Sequence, residues 1–393
     1  MLMKKREIEK VLLKLSSQYP VVTVTGPRQS GKTTLCRKVF PSKAYVNLEF
    51  PDIRQFAIDD PRGFLNQYKD GAIFDEIQRV PELTSYIQGV VDESDNKTGQ
   101  FILTGSQQFE VIDSIDQSLV GRTALIKLLP FSISELGKQY KGISVNELIY
   151  KGFYPRIYDK NLNPTQALGD YFETYVERDI KRLVNVKDLN LFEKFVRLCA
   201  GRIGQLLNLQ SLANDVGVSH TTIRAWISVL EASYVIFLLP PFYKNISKRL
   251  IKSPKLYFYD VGLASFLLGI ENVRQVSTHP LKGNLFENLI IMEALKHRFN
   301  SGKKSNFTFF RDSSGMEVDL IIGEGREMLP IEIKSGETIN KDYFKSLNKF
   351  NKLFPNRDKV SAVIYGGERI EKRSDVLVYP AQKIKKLIQE SGF

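Results

Sequence analysis

The first 130 residues alternate short apolar runs with segments of helical periodicity. The runs are rich in β-forming residues and bounded by turn residues, which predicts strands. These strands are Val21–Thr25, Ala44–Leu48, Ala72–Phe74, Phe101–Thr104 and Ala124–Leu128. The intervening patterns predict helices at Lys32–Val39, Pro51–Tyr68 and Pro81–Asp92. Strands that alternate with helices predict an α/β fold with a parallel sheet covered on both faces.

Beyond Phe131 the pattern becomes mainly helical. Predicted helices are Ser132–Tyr140, Ser144–Lys151, Pro164 to about Val184, Leu191–Gly201, Ser211–Val216 and Ser219–Ser233. A helix at Leu285–Phe299 then precedes strands at Phe307–Phe310, Glu317–Ile322 and Met328–Lys334. The proline-containing stretch 152–165 and the region around Gly283 suggest boundaries, so we predict three domains at residues 1–160, 161–282 and 283–393.

The segment after the first strand fits the phosphate-binding pattern G-x-x-x-x-G-K-[ST]. Glycines let such a loop wrap closely around a phosphate, and backbone N–H groups and the following helix N-terminus attract the anion. Lysine then reaches the β- and γ-phosphates and the hydroxyl residue binds Mg²⁺. We therefore expect a nucleotide, ATP, to contact Gly26, Pro27, Arg28, Gln29, Ser30, Gly31, Lys32, Thr33 and Thr34.

Two further strand ends carry polar residues suited to the same site. Asp75 and Glu76 follow the apolar strand Ala72–Phe74. Asp75 in this position holds the metal, and Glu76 polarises an attacking water. Thr104 and Ser106 end another strand, and we expect that strand to lie between the other two, where either hydroxyl senses the γ-phosphate. The alternative for this last strand end is a simple turn.

Arg122 stands just before the last predicted strand. In that position an arginine can act as a finger that completes a neighbour's site in a homo-oligomer. A surface or salt-bridged arginine is the alternative.

The middle region contains a helix-turn-helix pattern at residues 212–223. Gly217 fits the turn and Ser219 the N-cap of the second helix. Ile223, Ile227 and Leu230 face a core at helical spacing, which leaves His220, Thr221, Arg224 and Ser228 exposed, where a recognition helix meets DNA. A following wing would place Lys244, Lys248, Arg249 and Lys252 on phosphates. Such modules can also serve only to pack between domains.

The C-terminal region brings two carboxylates and a lysine into one predicted hairpin. Side chains alternate faces along a strand, so Glu332 and Lys334 share one face. A hairpin centred near residues 325–326 sets Asp319 opposite Glu332, and Glu287 on the upstream helix could supply a third carboxylate. Asp319, Glu332 and Glu287 are suited to Mg²⁺, and Lys334 to orienting water and stabilising developing charge. The alternative is an edge strand with alternating charges.

Composition narrows the classes of protein. The formal net charge is +12, and residues 151–285 hold 18 Lys and Arg against 11 Asp and Glu, which suits nucleic acid or serves solubility alone. Two cysteines and three histidines exclude a disulfide scaffold and make a histidine metal cluster unfavourable. The longest apolar run, Tyr234–Phe242, is too short to span a membrane, and MLMKKREIEK has no apolar segment behind it. We expect a cytoplasmic protein with no membrane partner.

At these motifs the sequence resembles a prokaryotic AAA-type ATPase family that carries a C-terminal domain of once-unassigned function. The resemblance covers nearly the whole chain. It rests on the blocks GPRQSGKTT, NLEFPDIR, FDEIQ, ILTGS, LVGRTALIKLLPFSISEL, DYFETYVERDIKRL, LYFYDVGL, GNLFENLI, FFRDSSGMEVDLII and IEIKS. The family implies a P-loop NTPase core, a winged-helix middle region and an α/β restriction-endonuclease-like end. D-x12-E-x-K at Asp319, Glu332 and Lys334 resembles the PD-(D/E)XK nuclease pattern, without the proline before Asp319.

These patterns predict an ATP-hydrolysing AAA-type protein that uses Mg²⁺ and directs a nuclease-like C-terminal domain to DNA. Lys32, Asp75, Glu76, Arg122, Asp319, Glu332 and Lys334 are the expected catalytic residues. The alternative is a nucleotide-switched protein that binds DNA or another protein through a silent nuclease-like domain. The sequence leaves both open.

Overall fold

The computed structural model describes residues 4–94, 97–106, 118–175, 189–242, 253–355, 360–373 and 375–393. The chain divides into two compact units. The first comprises Met1–Leu136, Ala232–Tyr234 and Arg298–Lys303, and the second comprises Gly137–Glu231, Val235–His297 and Lys304–Phe393. The first unit thus ends before the boundary predicted at residue 160, and most of the residues of the other two predicted domains fall within the second unit.

The first unit contains a five-stranded sheet. Its strands are β1 (Val21–Thr25), β2 (Ala44–Asn47), β3 (Ala72–Asp75), β4 (Phe101–Gly105) and β5 (Thr123–Lys127). They lie in the order β2-β3-β4-β1-β5, and all neighbouring pairs are parallel. This confirms the predicted parallel sheet and the predicted place of β4 between β1 and β3. Because all five strands run the same way, their carboxyl ends share one edge.

Helices cover both faces of this sheet. They are α1 (Glu9–Ser16), α2 (Lys32–Val39), α3 (Pro51–Asp59), α4 (Pro61–Asn66) and α5 (Leu83–Glu93). Alternate strand residues pack into two apolar clusters: Val22 and Val24 lie in one, and Phe74 and Leu103 in the other. The single helix predicted at Pro51–Tyr68 is in fact two, because Asp60 caps the second through the backbone N–H of Gly63 at 2.9 Å.

The helical part of the second unit starts after residue 137. Its helices are α6 (Val145–Lys151), α7 (Pro155–Asp159), α8 (Pro164–Tyr171), α9 (Leu189–Ala200), α10 (Leu209–Val216), α11 (His220–Ala232), α12 (Val261–Leu267) and α13 (Val273–Thr278). The prediction of one helix at Ser132–Tyr140 is wrong: two three-residue 3₁₀ turns, Ile133–Glu135 and Lys138–Tyr140, flank Gly137, whose φ of 88° interrupts a helix. The end of the helix predicted from Pro164 lies outside the described residues.

The helix-turn-helix pattern has the predicted local geometry. Gly217 adopts φ 91° after α10, and the Ser219 hydroxyl accepts the backbone N–H of Thr222 at 3.1 Å. Buried positions on α11 include Ile223, Ile227 and Leu230, whereas Thr221, Arg224 and Ser228 are exposed and His220 is half-buried. Strands β6 (Ile236–Leu239) and β7 (Lys255–Phe258) then pair antiparallel. The predicted phosphate contacts Lys244, Lys248, Arg249 and Lys252 lie outside the described residues.

The second unit also holds a six-stranded mixed sheet. Helix α14 (Lys282–Asn300) precedes its strands, β8 (Phe307–Arg311), β9 (Glu317–Glu324), β10 (Glu327–Lys334), β11 (Ser361–Tyr365), β12 (Glu371–Arg373) and β13 (Val376–Pro380), which lie in the order β12-β13-β11-β10-β9-β8. Strands β8 to β10 are antiparallel neighbours, whereas β10, β11 and β13 run parallel. Helices α15 (Lys345–Leu353) and α16 (Ile384–Glu390) complete the unit. None of the described helices is long and apolar enough to cross a lipid bilayer.

Candidate functional site

The P-loop joins the end of β1 directly to the start of α2. Gly26 has φ 150° and Gly31 has φ 93°, both unfavourable for residues with a Cβ. A Cβ on Gly26 would lie 2.1 Å from the carbonyl oxygen of Leu128. Only glycine therefore fits at the start of this loop, and the backbone can follow the tight path that a phosphate requires.

Lys32 is turned into the loop that precedes it. Its Nζ donates to the carbonyl oxygens of Gly26 and Pro27, both at 3.0 Å, and the residue is 5% exposed. Burial lowers the pKa of this amine, and Glu76 and Asp75 oppose that shift. The Ser30 hydroxyl is buried with no hydrogen-bond partner among the described residues. A sequestered cation and an unsatisfied hydroxyl together fit a loop that receives an anion.

Asp75 is the centre of a hydrogen-bonded group at the end of β3. Its Oδ2 accepts from the hydroxyls of Thr33 and Tyr45, each at 2.8 Å, and its Oδ1 accepts from the hydroxyl of Thr104. Strand β4 lies beside β3, which brings Thr104 to this carboxylate. A carboxylate beside a threonine hydroxyl is a donor set suited to Mg²⁺, which prefers oxygen. Tyr45 was not foreseen at this site, because it lies within an apolar strand.

Glu76 follows in a left-handed conformation with φ 58°. Its carboxylate accepts from the hydroxyl of Ser106 at 2.9 Å and from the side-chain amide of Gln78. The same amide donates to Ser106 at 3.2 Å. The strain of a left-handed glutamate is offset by this network, which fixes where the carboxylate lies. Gln78 was not foreseen, because a glutamine two residues past a strand end has no distinguishing pattern.

Arg6 holds the loop from the other side and was also missed. Its guanidinium donates to the carbonyl oxygens of Ser30 at 2.7 Å and Leu129 at 2.6 Å, and to Glu135 Oε1 at 3.1 Å. The Glu135 side chain is completely buried. Through its bond to the Ser30 carbonyl, Arg6 ties the segment before α1 to the phosphate-binding loop, and the buried pair with Glu135 fixes the guanidinium.

Two further predicted nucleotide contacts, Thr34 and Arg28, lie near the P-loop residues described above. Thr34 and Thr33 line a cavity of about 580 Å³ beside α2, together with Arg37 and Tyr45. Arg28 lies 3.9 Å from the carboxylate of Glu49.

The structure does not bring Arg122 to this chain's P-loop. Its guanidinium donates to both carboxylate oxygens of Asp92, at 2.6 and 2.8 Å. Its carbonyl oxygen accepts from the backbone N–H of Val21 at 3.2 Å. Arg122 therefore lies at the amino-terminal edge of the sheet, whereas the P-loop lies at the carboxyl edge. A finger role in a neighbouring subunit stays a prediction.

The C-terminal hairpin has the predicted register. Strands β9 and β10 pair Glu324 with Glu327 and Leu320 with Ile331, so the next residues, Asp319 and Glu332, are opposite each other. The Asp319 carboxylate accepts the backbone N–H of Ile333 at 2.7 Å. Both acidic residues are buried, at 6% and 5% exposure.

Lys334 joins the two carboxylates. Its Nζ lies 2.7 Å from Glu332 Oε1 and 3.5 Å from Asp319 Oδ2. Burial and the Asp319 charge raise the pKa of Glu332 to about 8. Burial opposes the charge on Lys334, but Asp319 and Glu332 outweigh it and raise the pKa of this amine, so it is a cation at neutral pH. The other oxygen of Glu332, Oε2, is buried without a partner among the described residues, which leaves a position for a cation.

Glu287, the expected third metal-binding carboxylate, is paired with a lysine and a tyrosine, and its metal-binding role stays a prediction. Its Oε1 accepts from Lys255 Nζ at 3.0 Å and from the Tyr257 hydroxyl at 2.5 Å. Lys255 Nζ also lies 2.5 Å from Glu317 Oε1. Among the described residues, no three His, Cys, Asp or Glu side chains are grouped to hold a metal ion. Lys255, Tyr257 and Glu317 were not foreseen, because each contacts partners that are distant in the sequence.

The loop, the parallel sheet and the Asp75 group are features typical of a P-loop ATPase domain. Residues 18–137 match the family model described as AAA domain. Residues 143–274 match a domain of unknown function, DUF8612, and residues 282–384 match another, DUF4143.

Similar proteins span nearly the whole chain. The uncharacterized protein Rv2008c of Mycobacterium tuberculosis is 28% identical over 98% of this chain and 85% of its own length. The uncharacterized protein MJ1637 of Methanocaldococcus jannaschii is 22% identical over 92% of this chain and 83% of its own. Among solved structures, the Walker-type ATPase PABY2304 of Pyrococcus abyssi is 16% identical, with a TM-score of 0.42 over 68% of this chain and 96% of that one.

Proposed function

We propose that this protein hydrolyses ATP at the P-loop and couples nucleotide turnover to a metal-dependent phosphodiester-cleaving site on DNA. The observation that carries the second half is the convergence of Asp319, Glu332 and Lys334 on one position of the hairpin. Two carboxylates and an ammonium, with Glu332 Oε2 lacking a partner in the part of the chain that the structure describes, suit a site that holds a cation beside a phosphate.

In the ATPase step each side chain has a distinct task. Lys32 leaves the loop carbonyls and contacts the β- and γ-phosphates. Thr33 and Asp75 would hold Mg²⁺, which neutralises phosphate charge when bound. Glu76 accepts a proton from the attacking water, and Thr104 and Ser106 keep the two carboxylates in place. Arg122 would act only on a neighbour's nucleotide in a homo-oligomer.

In the cleavage step Asp319 and Glu332 would hold the divalent cation, which supplies Lewis-acid polarisation of the phosphate when bound. Lys334 remains protonated, so its task is to stabilise the negative charge that develops on the phosphate and not to remove a proton. A cavity of about 580 Å³ begins at Ser335, the residue after Lys334, and includes Gly366, Gly367, Lys282 and Lys383. An extended substrate could occupy this cavity, which lies beside the group formed by Asp319, Glu332 and Lys334.

Support for DNA as the substrate comes from the helix-turn-helix and the charge distribution. The exposed face of α11 carries Thr221, Arg224 and Ser228, residue types that contact phosphates and base edges. The excess of positive charge lies in residues 151–285, the region that contains this motif.

The decisive experiment is a cleavage assay on plasmid and single-stranded DNA with Mg²⁺ or Mn²⁺, with and without ATP. Wild type is compared with Asp319→Ala, and Asp342→Ala is the matched control because Asp342 is an exposed carboxylate of the same unit. We expect cleavage by wild type and the control and none by Asp319→Ala. ATP dependence of the rate would demonstrate coupling. Absence of cleavage by wild type would reject the nuclease half and leave the ATPase half standing.

A second candidate function is a nucleotide-switched DNA- or protein-binding protein with a silent C-terminal site. The observation that favours it is the internal pairing of the site, since Lys334 already contacts both carboxylates. ATP-dependent DNA binding without cleavage would support this candidate.

A further inference from the structure

Lys255 is a buried cation inside the carboxylate cluster of the second unit. It lies on β7, outside the six-stranded sheet, and is 3% exposed. Its Nζ is 3.0 Å from Glu287 Oε1 and 2.5 Å from Glu317 Oε1, and 5.5 Å from the centre of the Phe309 ring. Three separate elements, α14, β9 and β7, thus place their charged groups on one point.

The position between Glu287 and Glu317 has the composition of a metal site with an ammonium in the metal's place. Two carboxylate oxygens, Glu287 Oε1 and Glu317 Oε1, face it, and oxygen donors of this kind bind hard cations. The Tyr257 hydroxyl donates to the first of these oxygens. Glu287 accepts from both Lys255 and Tyr257 through the same oxygen. Burial and the nearby Asp319 charge raise the pKa of Glu287 to about 7, and Lys255 and the Tyr257 hydroxyl act against that rise.

The carboxylates of the cluster outnumber its cationic side chains. The place for a further cation is beside Lys334, on the side of the cluster away from Lys255. The cluster contains four carboxylates, Glu287, Glu317, Asp319 and Glu332, against the ammonium groups of Lys255 and Lys334, with Arg311 3.5 Å from Glu317 at the exposed edge. Within the described ranges, the carboxylate oxygen of this cluster that lacks a partner is Oε2 of Glu332, and Glu332 pairs with Lys334.

We propose that the ammonium of Lys255 is a resident cation that excludes a divalent metal ion from the position between Glu287 and Glu317. Replacement of Lys255 by a neutral side chain would open a new metal site there. This inference rests on the proposed function, in which Asp319 and Glu332 hold a divalent cation, and it restricts that site to a single ion. Lys255 is accordingly a positioning residue that acts through Glu287 and Glu317.

The test is a titration of the full chain with Mn²⁺ in the absence of nucleotide. Binding is measured by calorimetry and by the electron paramagnetic resonance signal of free Mn²⁺. Lys255→Met is compared with wild type, and Lys341→Met, an exposed lysine of the same unit, is the control. We expect Lys255→Met to bind one more Mn²⁺ per chain than wild type and the control. Lys255→Met/Glu287→Gln should return to the wild-type number, because it lacks one of the two carboxylates.

A second measurement keeps the inference falsifiable where Lys255→Met is unstable. Loss of the ammonium leaves Glu287 and Glu317 uncompensated, so the variant should unfold at lower temperature in metal-free buffer. We expect Mn²⁺ to raise the Tm of Lys255→Met more than that of wild type. An unchanged Mn²⁺ count, or an equal Tm shift in both proteins, would overturn the inference.

Asp319→Asn separates this inference from the proposed function. The proposed function predicts that Asp319→Asn binds one Mn²⁺ fewer than wild type. Equal binding by wild type and Asp319→Asn would reject the proposed metal at Asp319 and Glu332. The additional Mn²⁺ bound by Lys255→Met is measured relative to wild type, so its presence or absence is independent of the result for Asp319→Asn.

Discussion

The hydroxyl of Thr33 donates to the carboxylate of Asp75 across 2.8 Å, which joins the first turn of α2 to the end of β3. These residues are far apart in the sequence, and they meet because the carboxyl ends of parallel strands share one edge of the sheet. Asp75 accepts two further hydroxyls, from Tyr45 and Thr104. A carboxylate held by three hydroxyls is fixed before nucleotide binds, so binding costs little reorganisation at this point.

Lys32→Ala tests the P-loop. The lysine contributes a charge-assisted contact with phosphate, and hydrogen bonds to charged groups contribute about 1.5–3 kcal/mol, equivalent to a roughly 10- to 150-fold change in Kd. We expect ATP affinity to fall by that factor, measured with a fluorescent ATP analogue. Lys14→Ala, which changes an exposed lysine of the same unit, should bind ATP as wild type does. Unaltered affinity in Lys32→Ala would refute the assignment.

Glu76→Gln tests the proposed base. A positioned general base contributes a factor of about 10² to 10⁴, so kcat should fall in that range while KM for ATP stays close to the wild-type value. The variant should retain bound ATP, detected by analysis of the nucleotide released on denaturation. Glu82→Gln is the control, because Glu82 is an exposed glutamate a few residues further along the chain. A wild-type kcat in Glu76→Gln would eliminate Glu76 as the base.

Arg6→Met tests the tie between the N-terminal segment and the P-loop. The variant leaves Glu135, whose side chain is fully buried, without its cation. Breaking a buried pair by removing one partner costs about 3–5 kcal/mol, and we expect the free energy of unfolding to fall by that amount in a denaturant titration. Arg6→Met/Glu135→Gln should recover part of the loss, and exposed Lys10→Met should lose little. If the double variant is no more stable than Arg6→Met, the pair is not what holds the segment.

Local patterns predicted the first unit well, because each of its strands is short, apolar and bounded by turn residues. The P-loop and the Asp75–Glu76 pair follow from strand ends, and the register of Asp319 with Glu332 follows from the hairpin centre. Lys255 and Arg6 could not be predicted in this way. Each acts through partners distant in the sequence, and a single basic residue carries no periodic signal of the contact it makes.

The same reasoning explains why the partners of Glu287 were not predicted. Its position on a helix upstream of the hairpin is visible in the sequence, but the lysine that occupies its carboxylate comes from a separate strand, β7. The elements beyond Lys334 were not assigned at all, and β11 and β13 turn out to form the parallel half of the second sheet.

The two cysteines provide one reporter in each unit. Cys36 lies on α2 and Cys199 on α9, both are buried, and burial raises the pKa of each thiol well above its usual range. Both thiols are therefore protonated at pH 8, and a thiol reagent should label neither until the chain opens. With ATP at about 100 times its Kd, the first unit gains about 2.7 kcal/mol, so labelling of Cys36 should slow by roughly a hundredfold. Cys199 should slow less, since it lies in the other unit. Mass spectrometry measures the labelling of each cysteine. Labelling of Cys36 in the native protein at the rate of a free thiol would contradict its burial. Equal protection of both cysteines would show that ATP stabilises the two units together.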